Sequence, residues 1–115
     1  MVKDVNSGFV GTPLEVDLRR HGIQRLVAVG FFTNFCVETT VHMAGNLGFD
    51  IYLVPNACVT SNRVGPDSTD YDPELVHAMT VANLHGEFCT TLSLGDALSL
   101  LDADSSRLDR HQGNE

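Results

Sequence analysis

The fold of this chain is decided by one stretch, RLVAVGFFTNFCVETT, at residues 25–40. Its first part, from Arg25 to Phe31, is a short continuous run rich in apolar and β-forming residues, which is typical of a strand covered on both faces. From Val37 onward, apolar residues recur at helical spacing, so the sequence predicts a helix directly after the strand. Cys36 therefore lies at the turn between the strand and the helix.

The position of Cys36 gives its thiol a chemical context. Thr33 and Asn34 precede it as helix-capping residues, and the N–H groups at a helix N-terminus carry partial positive charge that favours an anion. We expect a thiol placed there to be a better nucleophile than a free one. The same amides could hold the oxyanion that forms when a thiolate attacks a carbonyl carbon. A buried structural cysteine is the alternative, and we adopt that interpretation for Cys58 and Cys89.

The segments on either side complete an α/β pattern. A second strand is predicted over residues 49–54, stopped by Pro55, so that strand, helix and strand form a parallel unit with a right-handed crossover. Ligand sites in such sheets lie beyond the carboxyl ends of the strands, which is where Cys36 falls. Further predicted elements are a short helix after a capping box at residues 12–15, a helix from Pro73 to Gly86, a strand over residues 88–92, and a last helix from a capping box at Ser93 through Leu101.

These elements predict a single domain over residues 1–102, a three-layer α/β structure with a partial Rossmann-like parallel sheet flanked by helices. Residues 103–115 are polar and aperiodic, and we expect them to form a disordered tail. The polar loop at residues 61–73 is long for a connector. A lid or binding role and a plain solvated excursion are both compatible with it.

Composition narrows the class of partner. The chain has 115 residues, of which 43% are hydrophobic, and a net charge of -8. The acidic balance argues against nucleic acid or an anionic membrane surface as the main partner. We expect a small-molecule substrate. The sequence has no apolar run long enough for a membrane span. It begins without the apolar core of a signal peptide, and its three cysteines show no C-x-x-C spacing, which favours a reducing cytoplasm.

The other titratable residues form no cofactor or metal motif. The five histidines show no metal-ligand spacing, and the sequence contains neither G-x-G-x-x-G nor G-x-S-x-G. We therefore expect no metal and no cofactor, and we interpret each histidine as a surface or helix-terminal residue. Lys3 is the only lysine, and a solvated chain end is its ordinary interpretation. The histidines are His21, His42, His77, His85 and His111.

Several segments together resemble the isochorismatase-like cysteine hydrolases. The resemblance covers residues 3 to 101, and the segment around Cys36 is its most specific part. It implies an isochorismatase-like fold of which this sequence matches the C-terminal part. The segments that carry it are Lys3 before NSGF at 6–9, GFFTNFCVETT at 30–40, VPNAC at 54–58, NLHGEF at 83–88 and TTL at 90–92.

The resemblance also assigns roles to residues. Cys36 would be the nucleophile, and Lys3 would stabilise its thiolate. A cis peptide would join Phe31 and Phe32, and the backbone N–H groups of Phe32 and Cys36 would form the oxyanion hole. Phe31, Asn34 and Phe35 are the residues that we expect to shape the substrate pocket.

One part of the family pattern has no counterpart in the sequence. The catalytic triad of the family begins with an aspartate at the end of a strand well upstream of the lysine, and Asp4 does not match that position. By this pattern the sequence is N-terminally truncated, and weak or absent activity is expected. Without that segment, the strand over residues 25–31 is expected to present an unpaired edge.

Two functions are therefore expected from the sequence. The first is a cysteine hydrolase that cleaves the C–N bond of a small amide through a thioester. The presence of Cys36 favours an amidohydrolase over vinyl-ether cleavage. The second is a non-catalytic association module that pairs through its open strand edge. We expect a homo-oligomer.

Overall fold

The computed structural model describes Lys3, residues 5–103 with their side chains, and the backbone of residues 104–113. Helices and strands alternate along most of the described chain. In order they are α1 (Leu14–Arg20), β1 (Arg25–Phe31), a π-helical turn (Thr33–Val37), α2 (Glu38–Asn46), β2 (Asp50–Val59), β3 (Arg63–Val64), β4 (Asp70–Tyr71), α3 (Pro73–Leu84), β5 (Thr90–Thr91) and α4 (Leu94–Gly113).

The main sheet is parallel and has the strand order β1-β2-β5 in the described part of the chain. Arg25 of β1 pairs with Asp50 of β2, and Tyr52 of β2 pairs with Thr90 of β5. The α/β class with a parallel sheet flanked by helices, predicted from the sequence, is confirmed. Because β2 is central, β1 forms one edge of this sheet.

The core lies between the sheet and the helices that cover it. β2 contributes the most deeply buried run, which is why its sequence is almost continuously apolar. α2 and α4 pack against β2, and α3 packs against α2. The aliphatic part of the core includes Val41, Ala44, Ile51, Leu53 and Leu84.

The second strand does not stop at Pro55, contrary to the sequence-based prediction, but continues to Val59. Ala28 pairs with Leu53, whereas Gly30 pairs with Cys58, so β2 advances five residues while β1 advances two. This register shift places Pro55 in an irregularity where the missing N–H costs no ladder hydrogen bond. The extension carries β2 as far as the turn that holds Cys36.

The capping box predicted at the start of α1 is not formed. No side chain caps α1: Pro13 is its N-cap residue, and Thr12 only accepts a long 3.4 Å hydrogen bond from the N–H of Leu14. Glu15 does not reach back as a capping box requires but pairs with Arg19 one turn on, at 3.5 Å.

The C-terminal helix starts as the sequence predicts and runs further. Ser93 Oγ accepts a 3.1 Å hydrogen bond from the N–H of Asp96. α4 then continues past Leu101 to Gly113. The side chains of residues 104–113 and the last two residues lie outside the description, so the division into a domain over 1–102 and a tail over 103–115 stays a prediction.

The polar loop over residues 61–73 contains a small antiparallel hairpin. Arg63 of β3 pairs with Tyr71 of β4, and the N–H of Gly65 donates to the carbonyl of Thr69 at 2.8 Å. The Arg63 guanidinium lies 4.8 Å from the centre of the Phe35 ring. The hairpin therefore contacts the turn that carries Cys36 rather than extending freely into solvent.

Candidate active site

The chain changes direction sharply between β1 and α2. Gly30 has φ 149°, and a Cβ on it would lie 3.5 Å from Val37 Cγ2. Phe32 adopts the left-handed conformation, with φ 60° and ψ 70°, which is uncommon for a residue with a large side chain. Backbone strain of this kind tends to be found at functional sites.

The peptide bond between Phe31 and Phe32 is trans, as are all peptide bonds between described residues. The cis bond implied by the family resemblance is therefore not found. The left-handed backbone of Phe32, together with the positive φ of Gly30, reverses the chain at this place instead.

Cys36 lies inside the π-helical turn, partly exposed. Its Sγ is 3.5 Å from Lys3 Nζ and 3.6 Å from Asn6 Oδ1. The Lys3 ammonium also donates to the carbonyl of Val5 at 2.8 Å. The structure thus brings together the two residues whose catalytic roles are predicted from the sequence, Cys36 and Lys3, although they are 33 positions apart.

Asn6 is a contact of the thiol to which the sequence assigned no role. It lies in the segment NSGF, which the family resemblance already marked. An asparagine amide can accept a hydrogen bond from a thiol but has no basic site for its proton at neutral pH. Asn6 is therefore suited to orienting the thiol rather than to taking its proton.

The N-terminal segment is held against α2 just beyond Asn6. The N–H of Gly8 donates to Thr40 Oγ1 at 2.9 Å, and the ring of Phe9 stacks on that of Phe49 with centroids 5.8 Å apart. Thr40 lies one helical turn after Cys36. These contacts fix the segment that carries Lys3 with respect to the thiol.

An apolar groove of about 400 Å³ opens beside Cys36, between α1, β1 and α2. Phe31 lines it and is 76% exposed, and its role in binding a substrate stays a prediction. The groove is also lined by Leu14, Val29, Gly30 and Thr40, among others. The groove offers space for an uncharged ligand body next to the thiol.

Asn34 and Phe35 do not line this groove. Asn34 Oδ1 accepts a short hydrogen bond from the hydroxyl of Thr60, and the Phe35 ring lies under Arg63. Both side chains instead anchor the turn to the end of β2 and to the hairpin. Their expected role in shaping a pocket stays a prediction.

The other two cysteines are buried in the core. The Cys58 thiol donates to the carbonyl of Val54 at 3.4 Å, and that of Cys89 to the carbonyl of Leu84 at 3.6 Å. Burial raises the pKa of both thiols, and for Cys58 a hydrogen bond with the backbone of Gly30 opposes part of the rise. These contacts fit the structural interpretation of both residues.

The histidines are dispersed. His42 stacks on Phe88 with centroids 4.1 Å apart, His85 Nδ1 lies 3.0 Å from Thr91 Oγ1, and His21 Nδ1 lies 2.8 Å from the carbonyl of Asp17.

His77 is the histidine that touches the turn, at Thr33. Asp4 and the side chain of His111 lie outside the described residues. Within the described part of the chain, no three or more His, Cys, Asp and Glu residues form a cluster able to hold a metal ion, and no helix is long and apolar enough to cross a bilayer.

The fold and the turn define a class of protein: a parallel α/β domain with a thiol in the helical turn after an edge strand. A family model of the isochorismatase domain matches residues 1–93. The chain belongs to the isochorismatase family.

Similar proteins agree with this assignment. The isochorismatase family protein YrdC of Bacillus subtilis is 42% identical over 93 residues, which are 81% of this chain and 50% of YrdC. The ureidoacrylate amidohydrolase RutB of Rhizobium rhizogenes is 35% identical over 91 residues, 76% of this chain and 35% of RutB. The crystal structure of a hydrolase assigned to the isochorismatase family from Chromobacterium violaceum superposes with a TM-score of 0.84 at 42% identity, covering 88% of this chain and 52% of that one. The chain thus spans about half, or less, of the length of the proteins that it matches.

The different burial of the three thiols predicts selective alkylation. In the folded protein, iodoacetamide is expected to modify Cys36 and to leave Cys58 and Cys89 unmodified, because their burial and raised pKa disfavour the reactive thiolate. Peptide mapping by mass spectrometry before and after addition of urea measures this, since unfolding exposes all three thiols. Equal modification of Cys36 and Cys58 before unfolding would contradict the described packing.

Proposed function

We propose that this chain carries the nucleophile of a cysteine hydrolase that acts on a small amide, in a reducing compartment such as the cytoplasm. The observation that carries the proposal is the contact between Cys36 Sγ and Lys3 Nζ at 3.5 Å. An ammonium at this distance can donate a hydrogen bond to the sulfur and stabilise negative charge on it during the reaction. The name of RutB, an amidohydrolase, supports the choice of a C–N bond within the family.

The reaction proceeds in two stages. The Cys36 thiol gives its proton to solvent, the thiolate attacks the carbonyl carbon and the C–N bond breaks. The leaving nitrogen takes one proton from solvent, and a thioester remains on Sγ. Water then attacks the thioester carbonyl, releasing the carboxylic acid and returning the thiol. The chemistry uses the side chain of Cys36 and water, with no cofactor taking part.

The oxyanion of each stage needs hydrogen-bond donors near Cys36. We assign this role to the backbone N–H groups of Phe32 and Cys36, as the family resemblance implies. The left-handed backbone of Phe32 and the position of Cys36 in the first helical turn support the assignment. Donors held in advance of the reaction lower its barrier without reorganising.

Among the described residues, the thiol of Cys36 has no hydrogen-bond partner suited to proton transfer. The hydrogen-bond partners of Cys36 Sγ among the described side chains are Lys3 and Asn6, and neither is a carboxylate. A positioned general acid or base contributes about 10²- to 10⁴-fold to such reactions. We therefore expect Cys36 of the 115-residue chain to be acylated readily by esters with a good leaving group. We expect amides, whose nitrogen needs a proton in order to leave, to be hydrolysed slowly.

A substrate with a good leaving group tests the nucleophile apart from proton transfer. With p-nitrophenyl acetate, we expect an acetyl group on the peptide that contains Cys36, detected by mass spectrometry together with release of nitrophenolate. Cys36→Ala should abolish the adduct, whereas Cys58→Ala, which removes a buried thiol, should leave it. With ureidoacrylate as the amide, we expect turnover to be slow.

Two results would contradict parts of this proposal. Acetylation that persists in Cys36→Ala would remove Cys36 from the role of nucleophile. Rapid amide hydrolysis by the 115-residue chain, lost in Cys36→Ala, would keep the nucleophile but overturn the expectation of weak turnover.

A second candidate function is association with another copy of the chain. Within the described residues, β1 pairs with a neighbouring strand on one side only. Val29 of β1 is 55% exposed. An exposed apolar strand edge can pair with another strand. Pairing of two β1 edges about a two-fold axis would bury the same patch on both subunits.

Substitution at the strand edge tests association. A lysine on an edge strand opposes strand pairing, so Val29→Lys is expected to reduce the mass measured by size exclusion with light scattering. Val16→Lys is the matched control because Val16 is similarly exposed on α1. A wild-type chain that stays monomeric at all concentrations, or equal masses for the two variants, would contradict this function.

A further inference from the structure

The turn that carries Cys36 is hydrogen-bonded to a histidine of another helix, α3. The Thr33 side chain is fully buried, and its Oγ1 lies 2.9 Å from His77 Nδ1. The two residues are 44 positions apart. A buried hydroxyl needs a hydrogen-bond partner, because leaving it unpaired costs about 1–3 kcal/mol.

Thr33 is the residue on which the π-helical turn starts. The N–H of Glu38 donates to the carbonyl of Thr33, and this bond between residues five apart closes the ring that contains Cys36. The π-helix is rare and occurs mostly as single turns, often at functional sites. The side chain of Thr33 therefore fixes the backbone from which Cys36 projects.

His77 is itself held in place by a well-capped helix. The carboxylate of Asp72 accepts a 2.8 Å hydrogen bond from the N–H of Glu74, and Pro73 occupies the first turn, where its fixed φ favours the helical conformation. His77 follows one turn later, partly buried. α3 thus presents the imidazole to Thr33 from a fixed position.

Space around the imidazole makes substitutions at this position feasible. A groove of about 270 Å³ adjoins His77 and is bordered by Thr60 and Glu74, among others. Because a hydroxyl both donates and accepts, Thr33 can bond to either tautomer of the imidazole and to its charged form. The contact thus serves as a mechanical link whatever the protonation state of His77.

We propose that His77 is a positioning residue, which holds Cys36 in its reactive geometry through Thr33. This inference rests on the proposed role of Cys36 as a nucleophile. His77 does not contact the thiol, and the structure assigns it no part in proton transfer. Its effect on Cys36 is carried by the π-helical turn.

The chain contains a matched control for this contact. His85 Nδ1 makes the same kind of hydrogen bond to Thr91 Oγ1, at 3.0 Å, but Thr91 belongs to β5 and not to the turn. Replacing His85 therefore removes an equivalent histidine–threonine pair without touching Thr33.

The test is the rate at which iodoacetamide modifies Cys36 in the folded protein. His77→Leu and Thr33→Val should each slow it about 3- to 10-fold, the loss expected for one neutral hydrogen bond. The double variant should be no slower than either single variant, because both remove the same contact. His77→Asn should restore most of the rate, since the asparagine amide lies near the place of Nδ1, and His85→Leu should leave the rate unchanged.

Three outcomes would overturn the inference: unchanged rates in His77→Leu and Thr33→Val, additive losses in the double variant, or an equal loss in His85→Leu. If His77→Leu does not fold, Thr33→Val tests the loss of the contact and His77→Asn tests its restoration. The proposed function is tested separately in the wild-type chain, by acetylation of Cys36 with p-nitrophenyl acetate. Suppose that Cys36 of the wild-type chain is acetylated, but the His77 variants are alkylated at the wild-type rate. That result would refute the role of His77 and leave the proposed function intact.

Discussion

The site depends on the abrupt passage from the edge strand β1 into the helical turn that starts at Thr33. Gly30 and Phe32 both adopt positive φ in this passage, and the side chain of Thr33 is buried directly after it. The buried threonine prevents the turn from moving outward, while the left-handed Phe32 sets the direction in which the helix leaves. Thr33 and Val37 of the turn are buried, whereas Cys36 between them is partly exposed.

Distant parts of the chain converge on this turn and restrict it. The N-terminal segment brings Lys3 and Asn6 to the thiol, the end of β2 brings Thr60 to Asn34, and α3 brings His77 to Thr33. Each contact joins residues at least 26 positions apart. A turn held by such long-range contacts keeps its geometry only in the folded chain, so reactivity and folding are coupled.

Local sequence patterns were sufficient for the class of fold and for the position of the thiol. The apolar run of β1 and the helical spacing after Cys36 are short-range signals, and both predict what the structure shows. The continuation of β2 past Pro55 was missed because a bulge depends on the register with the neighbouring strand, which no local pattern contains. The trans bond before Phe32 corrects an implication of family resemblance, not of the local sequence.

The contacts of the site were predictable in unequal measure. The family resemblance marked Lys3 and the segment that contains Asn6, but it assigned no role to Asn6. His77 gave no signal, because a histidine at such a position is usually a surface residue. Only the fold shows that His77 and Thr33 meet. The predicted pocket residues divide in the same way: Phe31 lines the groove beside the thiol, while Asn34 and Phe35 serve the turn.

We propose that Lys3 activates Cys36, and the rate of acetylation by p-nitrophenyl acetate in Lys3 variants tests this role most directly. The contact between Lys3 and Cys36 is exposed to solvent, where a charged pair contributes about 0.2–1 kcal/mol, so Lys3→Met should slow acetylation about 1.5- to 5-fold. Lys3→Arg, which keeps the positive charge, should retain part of the rate. Equal rates in wild type and Lys3→Met would contradict the account.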